Sequence, residues 1–590
     1  MDFFSVLSLI GGLAFFLFGM HVLSSNLEKL AGGHLEKLLK RMAAKPIVSF
    51  LVGGAITVAM QSSSATTVML VGLVNSGILQ FSQTLYVIFG ANVGTTLTAW
   101  ILSLSGIQSS NFWIQMLKPI HFSPIVALVG ILLLMFSKKD RRRIIGTVCV
   151  GFALLMYGMT LMSDSVSPLA ELPAFTSILN QFGNPVLGLL VALLFTAVVQ
   201  SSAASIGILQ AISLTGSLSW AAVIPMVMGL NIGTCATSLI SCIGANTNAK
   251  RVAATHLLIK VLGALFFLPL FLILDAIFDW SVLSAAVTPW GIALIHTVYN
   301  LLLTLLFMPF SRLLVKLVER LVREKKTADK KSTEEVFVLD ERLLRVPSVA
   351  VAECDNKTRE MCSLACDTLM DSFSILFQYK KELDDKILRQ EDRLDQMEDK
   401  LGTYLVPLAA QNVSHDESRD ISRMLHTIGD FERLGDHAVN LLKLSREIHE
   451  KQISFSGDAL SELEILQKAV TEILILTDEA YLTGDPTLAV RVEPLEQVID
   501  KLISGIKDNH IGRLVAGNCT LELGFILQDI LTNFERISDH CSNIAVALIE
   551  LGHHSFRTHE YLSGVKNGDD AEFDRLFEQY DSKYKLTQDA

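Results

Sequence analysis

The chain has 590 residues, 51% of them hydrophobic, with a net charge of −11 and a mean hydropathy of +0.44. It is too long for one domain and too apolar, taken whole, for an ordinary soluble protein, and its acidic balance gives no support to nucleic-acid binding. The charge is unevenly divided: residues 1–310 hold 14 Lys+Arg and 8 Asp+Glu, so they carry +6, and the remainder carries −17. The eight cysteines (Cys149, Cys235, Cys242, Cys354, Cys362, Cys366, Cys519 and Cys541) suggest neither a disulfide framework nor a CxxC zinc site, and read as free thiols in a reducing compartment.

The N-terminal apolar run has no basic n-region, so it reads as a retained helix rather than a signal peptide. Spanning helices are expected at roughly 4–23, 83–104, 121–137, 144–163, 220–242, 253–275 and 287–308. No charged residue occurs between Lys45 and Lys118 or between Glu171 and Lys250. Residues 46–60 form an apolar segment that as a helix rises only about 22 Å, short of a hydrocarbon core of about 30 Å. A re-entrant hairpin fits that length, and its irregular tip is tolerated only where it faces protein or water.

Within the two charge-free gaps, Gln61-Ser62-Ser63 returns as Gln200-Ser201-Ser202, and Asn92-Val93-Gly94-Thr95 returns as Asn231-Ile232-Gly233-Thr234, both at an interval of 139. Repeats are therefore expected at about 5–137 and 144–276. Lys37, Lys40, Arg41 and Lys45 precede the first copy, whereas 175–184 has no basic residue; Lys250-Arg251 follows the second copy, and Ser110-Asn111 is uncharged. The copies thus read as inverted, with the Lys138–Arg143 cluster and the basic tail from Arg312 to Lys331 cytoplasmic. Two full crossings per hairpin would preserve the same parity.

Polar side chains at membrane depth are expensive, so a duplicated polar cassette marks a site at the interface of the repeats. Gln61, Ser62, Ser63, Ser64, Thr66 and Thr67, with Gln200, Ser201, Ser202 and Ser205, offer hydroxyls, carboxamides and helix N-termini that suit an oxyanion. Asn92, Gly94 and Thr95, with Asn231, Gly233 and Thr234, read as helix breaks whose carbonyls and side chains could hold a small hard cation. No acid lies within either gap, which favours sodium over protons as the partner of an anion. His256, His296, Asp164, Asp275 and Asp279 read as packed or interfacial.

QSSSATT from Gln61 to Thr67 and QSSAAS from Gln200 to Ser205 resemble the paired signature of the type II sodium-dependent phosphate cotransporters. Over residues 1–310 the resemblance implies inverted repeats, two re-entrant hairpins, inorganic phosphate as substrate and Na⁺ as driving ion. Ala203 departs from the full pattern and leaves Ser64 without a counterpart, so unequal tips are expected.

After a basic helix and linker at 311–340, with Lys325–Lys331 as the linker, the chain turns to amphipathic helical periodicity. Phe431-Glu432-Arg433-Leu434-Gly435-Asp436-His437 returns at an interval of 103 as Phe534-Glu535-Arg536-Ile537-Ser538-Asp539-His540, and Asn440 and Asn543 extend the match. Glu432, Asp436 and Asn440, like Glu535, Asp539 and Asn543, share one helix face. Stacked carboxylates need compensation by a metal or by arginine, with Asp399 and Asp500 as candidate partners. The pattern resembles the PhoU family of phosphate-signalling proteins, which implies paired three-helix bundles over 341–560 able to hold divalent or iron-type metal; 561–590 reads as an acidic tail.

The expectation is an all-α, multi-pass protein of the plasma membrane, of the bacterial inner-membrane type, ending in a cytoplasmic regulatory bundle. It would be a sodium-coupled phosphate transporter and not an enzyme, with a regulatory partner or a second copy as further partners. A carrier for another oxyanion (dicarboxylate or sulfate), an anion channel and a membrane-anchored metal-binding phosphate sensor or metalloenzyme remain alternatives.

Overall fold

The structure is a computed structural model that describes residues 3–41, 45–107, 111–116, 118–166, 183–323, 339–411, 413–553 and 571–586. The expectations for 175–182, for the Lys325–Lys331 linker and for 561–570 fall outside these residues. Among the described residues the regular elements are helices, apart from an isolated β-bridge between Ser219 and Ala286. They form two compact units, Met1–Ala350 and Val351–Ala590.

The first unit begins with α1 (Phe3–Arg41), α2 (Pro46–Met60), α3 (Ser63–Asn75), α4 (Phe81–Gly94), α5 (Thr96–Ser103) and α6 (Pro119–Phe136). It continues with α7 (Asp140–Val166), α8 (Pro185–Val199), α9 (Ser202–Ser213), α10 (Trp220–Gly233), α11 (Cys235–Ser241), α12 (Thr247–Phe278), α13 (Pro289–Phe307) and α14 (Ser311–Leu321). Among the described residues seven helical stretches are long and apolar enough to cross a membrane, and each overlaps an expected span. The interval of 139 now holds element by element: α2 maps onto α8 and α4 onto α10 with identical bounds.

Two contacts explain this symmetry physically. A Cβ on Gly90 would overlap the carbonyl oxygen of Phe50, and one on Gly229 would overlap that of Leu189, the residue 139 positions after Phe50. Glycine here lets α4 lie against α2, and α10 against α8, backbone to backbone. A second seam joins α1 to its repeat counterpart α7. Gly12 faces the carbonyl of Gly158, Gly158 that of Gly12, and the same reciprocity links Gly19 with Gly151. As α1 ascends from 12 to 19, α7 descends from 158 to 151. Equivalent helices that pack antiparallel are related by a two-fold axis perpendicular to both, so the repeats are inverted. Phe16, fully buried between the glycines, fills the space over Gly207 of α9.

The second unit contains α15 (Pro347–Ile375), α16 (Lys381–Ala409), α17 (His415–Glu450), α18 (Gly457–Thr483), α19 (Val492–Val515) and α20 (Leu521–His553). Leucine and isoleucine lie inward: Leu434, Leu441, Ile499, Leu495, Ile537 and Ile544 are buried. Part of the stretch read as an acidic tail is a packed helix, α21 (Ala571–Lys583), which buries Leu576 and Tyr580. Its ion pairs reach α18 and α19, from Lys583 Nζ to Glu472 (2.7 Å) and from Lys501 Nζ to Asp581 (2.7 Å). A run of acid and basic residues at helical spacing resembles a solvated tail until its apolar stripe finds a partner.

Glu353 on α15 is buried, and desolvation raises its carboxyl from 4.5 to about 7. Folding therefore favours its protonated form, so its contribution to stability is full below pH 4.5 and is lost as pH rises through about 7. Glu353→Gln should stabilise this unit by about 3 kcal/mol at pH 8 and leave it nearly unchanged at pH 4.5. Thermal unfolding of the full chain at both pH values checks this; equal shifts at the two would refute it.

Candidate functional site

Each Gln-Ser-Ser is a hairpin tip. Gln61 caps the C-terminus of α2 and Gln200 that of α8, both in the left-handed region (φ 51° and 58°), where the chain leaves the helix. Ser62 and Ser201 then cap α3 and α9, their hydroxyls accepting from Ala65 N (3.1 Å) and Ala204 N (3.2 Å). Thr57 Oγ1 lies 3.0 Å from Thr66 Oγ1. Nine residues of continuous helix would separate them by about 13 Å, so the chain turns back. The second tip repeats the bridge, Thr196 Oγ1 donating to Ser205 Oγ at 2.9 Å. Thr66 and Ser205 donate onward to the carbonyls of Ser62 and Ser201.

α1 brings the two tips together. Ser24 Oγ donates to Met60 O (2.6 Å), and Ser201 Oγ lies 3.9 Å from Met20 Sδ. Met20 and Ser24 stand one turn apart on one face of α1, so both tips meet α1 within about 6 Å along its axis. The N–H groups of Ser63, Ser64, Ser202 and Ala203 open their helices and have no intrahelical acceptor. Dipole ends and free donors thus converge from both repeats, which suits an anion.

The tips are unequal. Gln61 is buried and fully engaged, with Nε2 donating to Val58 O (2.8 Å) and Oε1 accepting from Thr98 Oγ1 (2.8 Å) on α5. Gln200 is exposed, and its side chain has no hydrogen-bond partner among the described residues. Ser63 and Ser202 are buried, whereas Ser64 is half-buried.

The Asn-x-Gly-Thr elements differ from expectation. Helical geometry is interrupted for one residue at Thr95 and at Thr234, yet both keep αR angles and donate N–H to Ala91 O and Leu230 O. No carbonyls are unwound there. Gly94 and Gly233 do not adopt unusual backbone angles; they admit the backbones of Gly54 and Leu193, where a Cβ would collide. Asn92 is buried, and its Nδ2 has no partner among the described residues.

Asn231 is closed off by a residue that motif spacing did not single out. Lys260 on α12 is buried at 2% exposure, and its Nζ donates to Asn231 Oδ1 (2.7 Å) and to Asn300 Oδ1 on α13 (2.9 Å). The charge-free gap ends at Lys250, but the next helix reaches back into it. Thr57, Thr196 and Thr98 were likewise missed, although Thr57 and Thr196 share the interval of 139 and could have been found by it.

In the second unit the duplicated faces also differ. Burial and the carboxylates of Asp436, Glu398 and Asp395 raise the Glu432 carboxyl, and burial with Asp436 and Asp395 raises Glu391. α16 thus brings Glu391, Asp395 and Glu398 near the first copy, but among the described residues these carboxylates do not gather into a metal-ligand group. In the second copy Glu535 pairs with Lys507 (3.6 Å) and Asp539 with Arg536 (3.6 Å), so cations from the protein already compensate it. Asn440 accepts from Lys443 (3.4 Å), and Asn543 is exposed. The histidines of the repeat latch α17 to α20: His437 Nδ1 lies 2.8 Å from Asn533 Oδ1, and His540 Nδ1 2.9 Å from Asp430 Oδ1. Cys362, Cys366 and Asp478 gather within 4.8 Å, but burial pushes the Cys362 thiol well above its ordinary range.

Comparison with known proteins matches these two units to two families. Residues 15–164 and 154–288 each match the Na⁺/Pi-cotransporter model, and residues 358–445 and 463–548 each match the PhoU domain. The Escherichia coli K12 protein named "Putative inorganic phosphate export protein YjbB" is 23% identical over 92% of this chain and 98% of its own. The PhoU homolog 1 of Thermotoga maritima, a phosphate-specific transport system accessory protein, is 26% identical over 35% of this chain and 89% of its own. Rat sodium-dependent phosphate transport protein 2A is 37% identical over 16% of this chain and 15% of its own. The crystal structure of PhoU from Streptococcus pneumoniae covers 36% of this chain and 99% of its own, with 18% identity and a TM-score of 0.33. The chain therefore carries an N-terminal Na⁺/Pi-cotransporter domain, matched twice over residues 15–288, and a C-terminal duplicated PhoU-like domain.

Proposed function

We propose that the protein moves inorganic phosphate across the plasma membrane, of the bacterial inner-membrane type, coupled to sodium. Phosphate binds between the re-entrant tips at Gln61, Ser62, Ser63, Ser64, Thr66, Gln200, Ser201, Ser202 and Ser205, and sodium binds at the element around Asn92. The observation that carries the reading is the convergence of both tips on one turn of α1. Two helix N-termini aimed at one point compensate an oxyanion without a permanent charge. Reconstituted in proteoliposomes, the full chain should accumulate ³²P-phosphate against its gradient when sodium is imposed, and running the gradient each way assigns direction. Flux that ignores sodium would sink the coupling, and competition by sulfate or dicarboxylate equal to that by phosphate would sink the substrate.

The PhoU unit lies on the cytoplasmic side in this reading and regulates transport. Its support is a strap: Arg342 bonds the carbonyls of Ser241 and Ile243 (2.9 Å for the latter) at the end of α11, and Leu343 is buried against Gly72 of α3. The strap runs directly into α15, so what the PhoU unit binds can pull on the first hairpin. In the same assay Arg342→Ala should change the rate by about fivefold without changing phosphate affinity; an unchanged rate would remove the strap from the mechanism. A divalent or iron-type metal on the Glu432–Asp436 face is the second element of regulation, and elemental analysis of Asp436→Asn against wild type tests it.

A further inference from the structure

The geometry points to Lys260 as a tethered cation that occupies the second-repeat coupling position, leaving only the Asn92 position to exchange sodium. This rests on the sodium-coupled reading above. An ammonium at membrane depth costs about 3 kcal/mol on insertion scales, so its partners are informative. Asn231 Nδ2 is tied to Val227 O (2.9 Å) and Asn300 Nδ2 to His296 O (2.8 Å), each within its own helix. Those bonds fix both carboxamide oxygens inward, towards a point between α10, α12 and α13. Two preset neutral oxygens make a receptor for a small cation, and the Lys260 ammonium fills it at 2.7 and 2.9 Å.

The first repeat keeps one of the two oxygens and lacks the tether: the residue 139 positions before Asn300 is Leu161. The residue 139 positions before Lys260 is His121, which is exposed on α6. Asn92, the counterpart of Asn231, is 1% exposed and has an unpartnered carboxamide atom. Turned about its last torsion, that amide presents an acceptor oxygen. The two halves thus share the asparagine and differ in who supplies the charge: the protein in one, solution in the other.

Equilibrium ²²Na⁺ binding to the purified full-length chain, alongside sodium-driven phosphate flux, tests the assignment. Asn92→Ala should weaken sodium binding at least about tenfold, whereas Asn231→Ala should stay within about twofold of wild type. Lys260→Ala should bind one sodium more per chain than wild type, and Lys260→Arg should not. Sodium-driven flux with Asn231→Ala as impaired in sodium binding as Asn92→Ala, or with a folded Lys260→Ala that binds no extra sodium, overturns this inference alone. Loss of phosphate affinity in Lys260→Ala with the sodium count unchanged also overturns it and makes Lys260 an anion ligand. A wild-type chain that binds no sodium and whose flux ignores it overturns the coupling itself. If Lys260→Ala does not fold, the asparagine pair decides.

Discussion

Gly90→Ala and Gly229→Ala are each expected to destabilise the membrane unit by more than about 4 kcal/mol, among the largest effects a single methyl can have. The atoms a Cβ would strike are the backbone oxygens of Phe50 and Leu189, and no flexible side chain can swing away. α2 would have to part from α4, or α8 from α10, and each separation gives up a face of close contacts at once. Gly54→Ala is the control. Its Cβ would sit 3.5 Å from the Gly90 oxygen, an ordinary contact. Alanine's better helix propensity should then leave that variant equal to wild type or up to about 1 kcal/mol more stable. The monodisperse fraction after extraction and the melting temperature report both. Gly90→Ala with a wild-type melting temperature would mean that α2 and α4 are not held backbone to backbone.

The second large effect separates the two glutamines. Gln200 is exposed and its carboxamide is unengaged among the described residues, whereas both ends of Gln61 are held by Val58 and Thr98. Gln200→Ala should therefore raise the phosphate KM about tenfold or more, since a hydrogen bond to a charged group is worth about 1.5–3 kcal/mol, and should barely change the maximal rate. Gln61→Ala should instead lower the maximal rate about tenfold with a smaller change in KM, because it unties the first tip from α5. Thr98→Val removes the same bond from the other side and should match it. Left-handed backbone strains an alanine by about 1 kcal/mol, so Gln61→Gly, which relieves that strain, separates the side chain's role from the fold's. Wild-type kinetics in all of these variants would remove the tips from the substrate path.

How far the chain could be read in advance depended on whether a feature was local. The turns of the hairpins were legible because each apolar segment of 15 residues ends in a polar cassette, and polar cassettes inside charge-free runs are expensive. Inversion was legible in loop charge, and the antiparallel meeting of Gly12 with Gly158 supplies its geometric reason. The glycines of Asn-x-Gly-Thr misled, because sequence cannot tell a residue that needs a rare backbone angle from one that needs to be small. Lys260 was hidden for a different cause. It sits 29 residues beyond Asn231, on another helix, where a lone charge inside an apolar run reveals nothing of what it faces. The acidic faces at Glu432 and Glu535 look alike in sequence, and only Lys507 arriving from α19 shows that one is already neutralised.

The reciprocal seam of Gly12, Gly19, Gly151 and Gly158 carries a historical consequence. A surface that binds its own equivalent upside down is what two separate chains of opposite topology would need, so this unit is a homodimer written as one polypeptide. The latch of His437 with Asn533 and His540 with Asp430 makes the second unit another. A dimer of identical chains must carry every residue twice, and could not have placed an ammonium in one half alone. Fusion lifted that constraint, and Lys260 opposite His121, like Ala203 opposite Ser64, records the freedom of two linked copies to specialise.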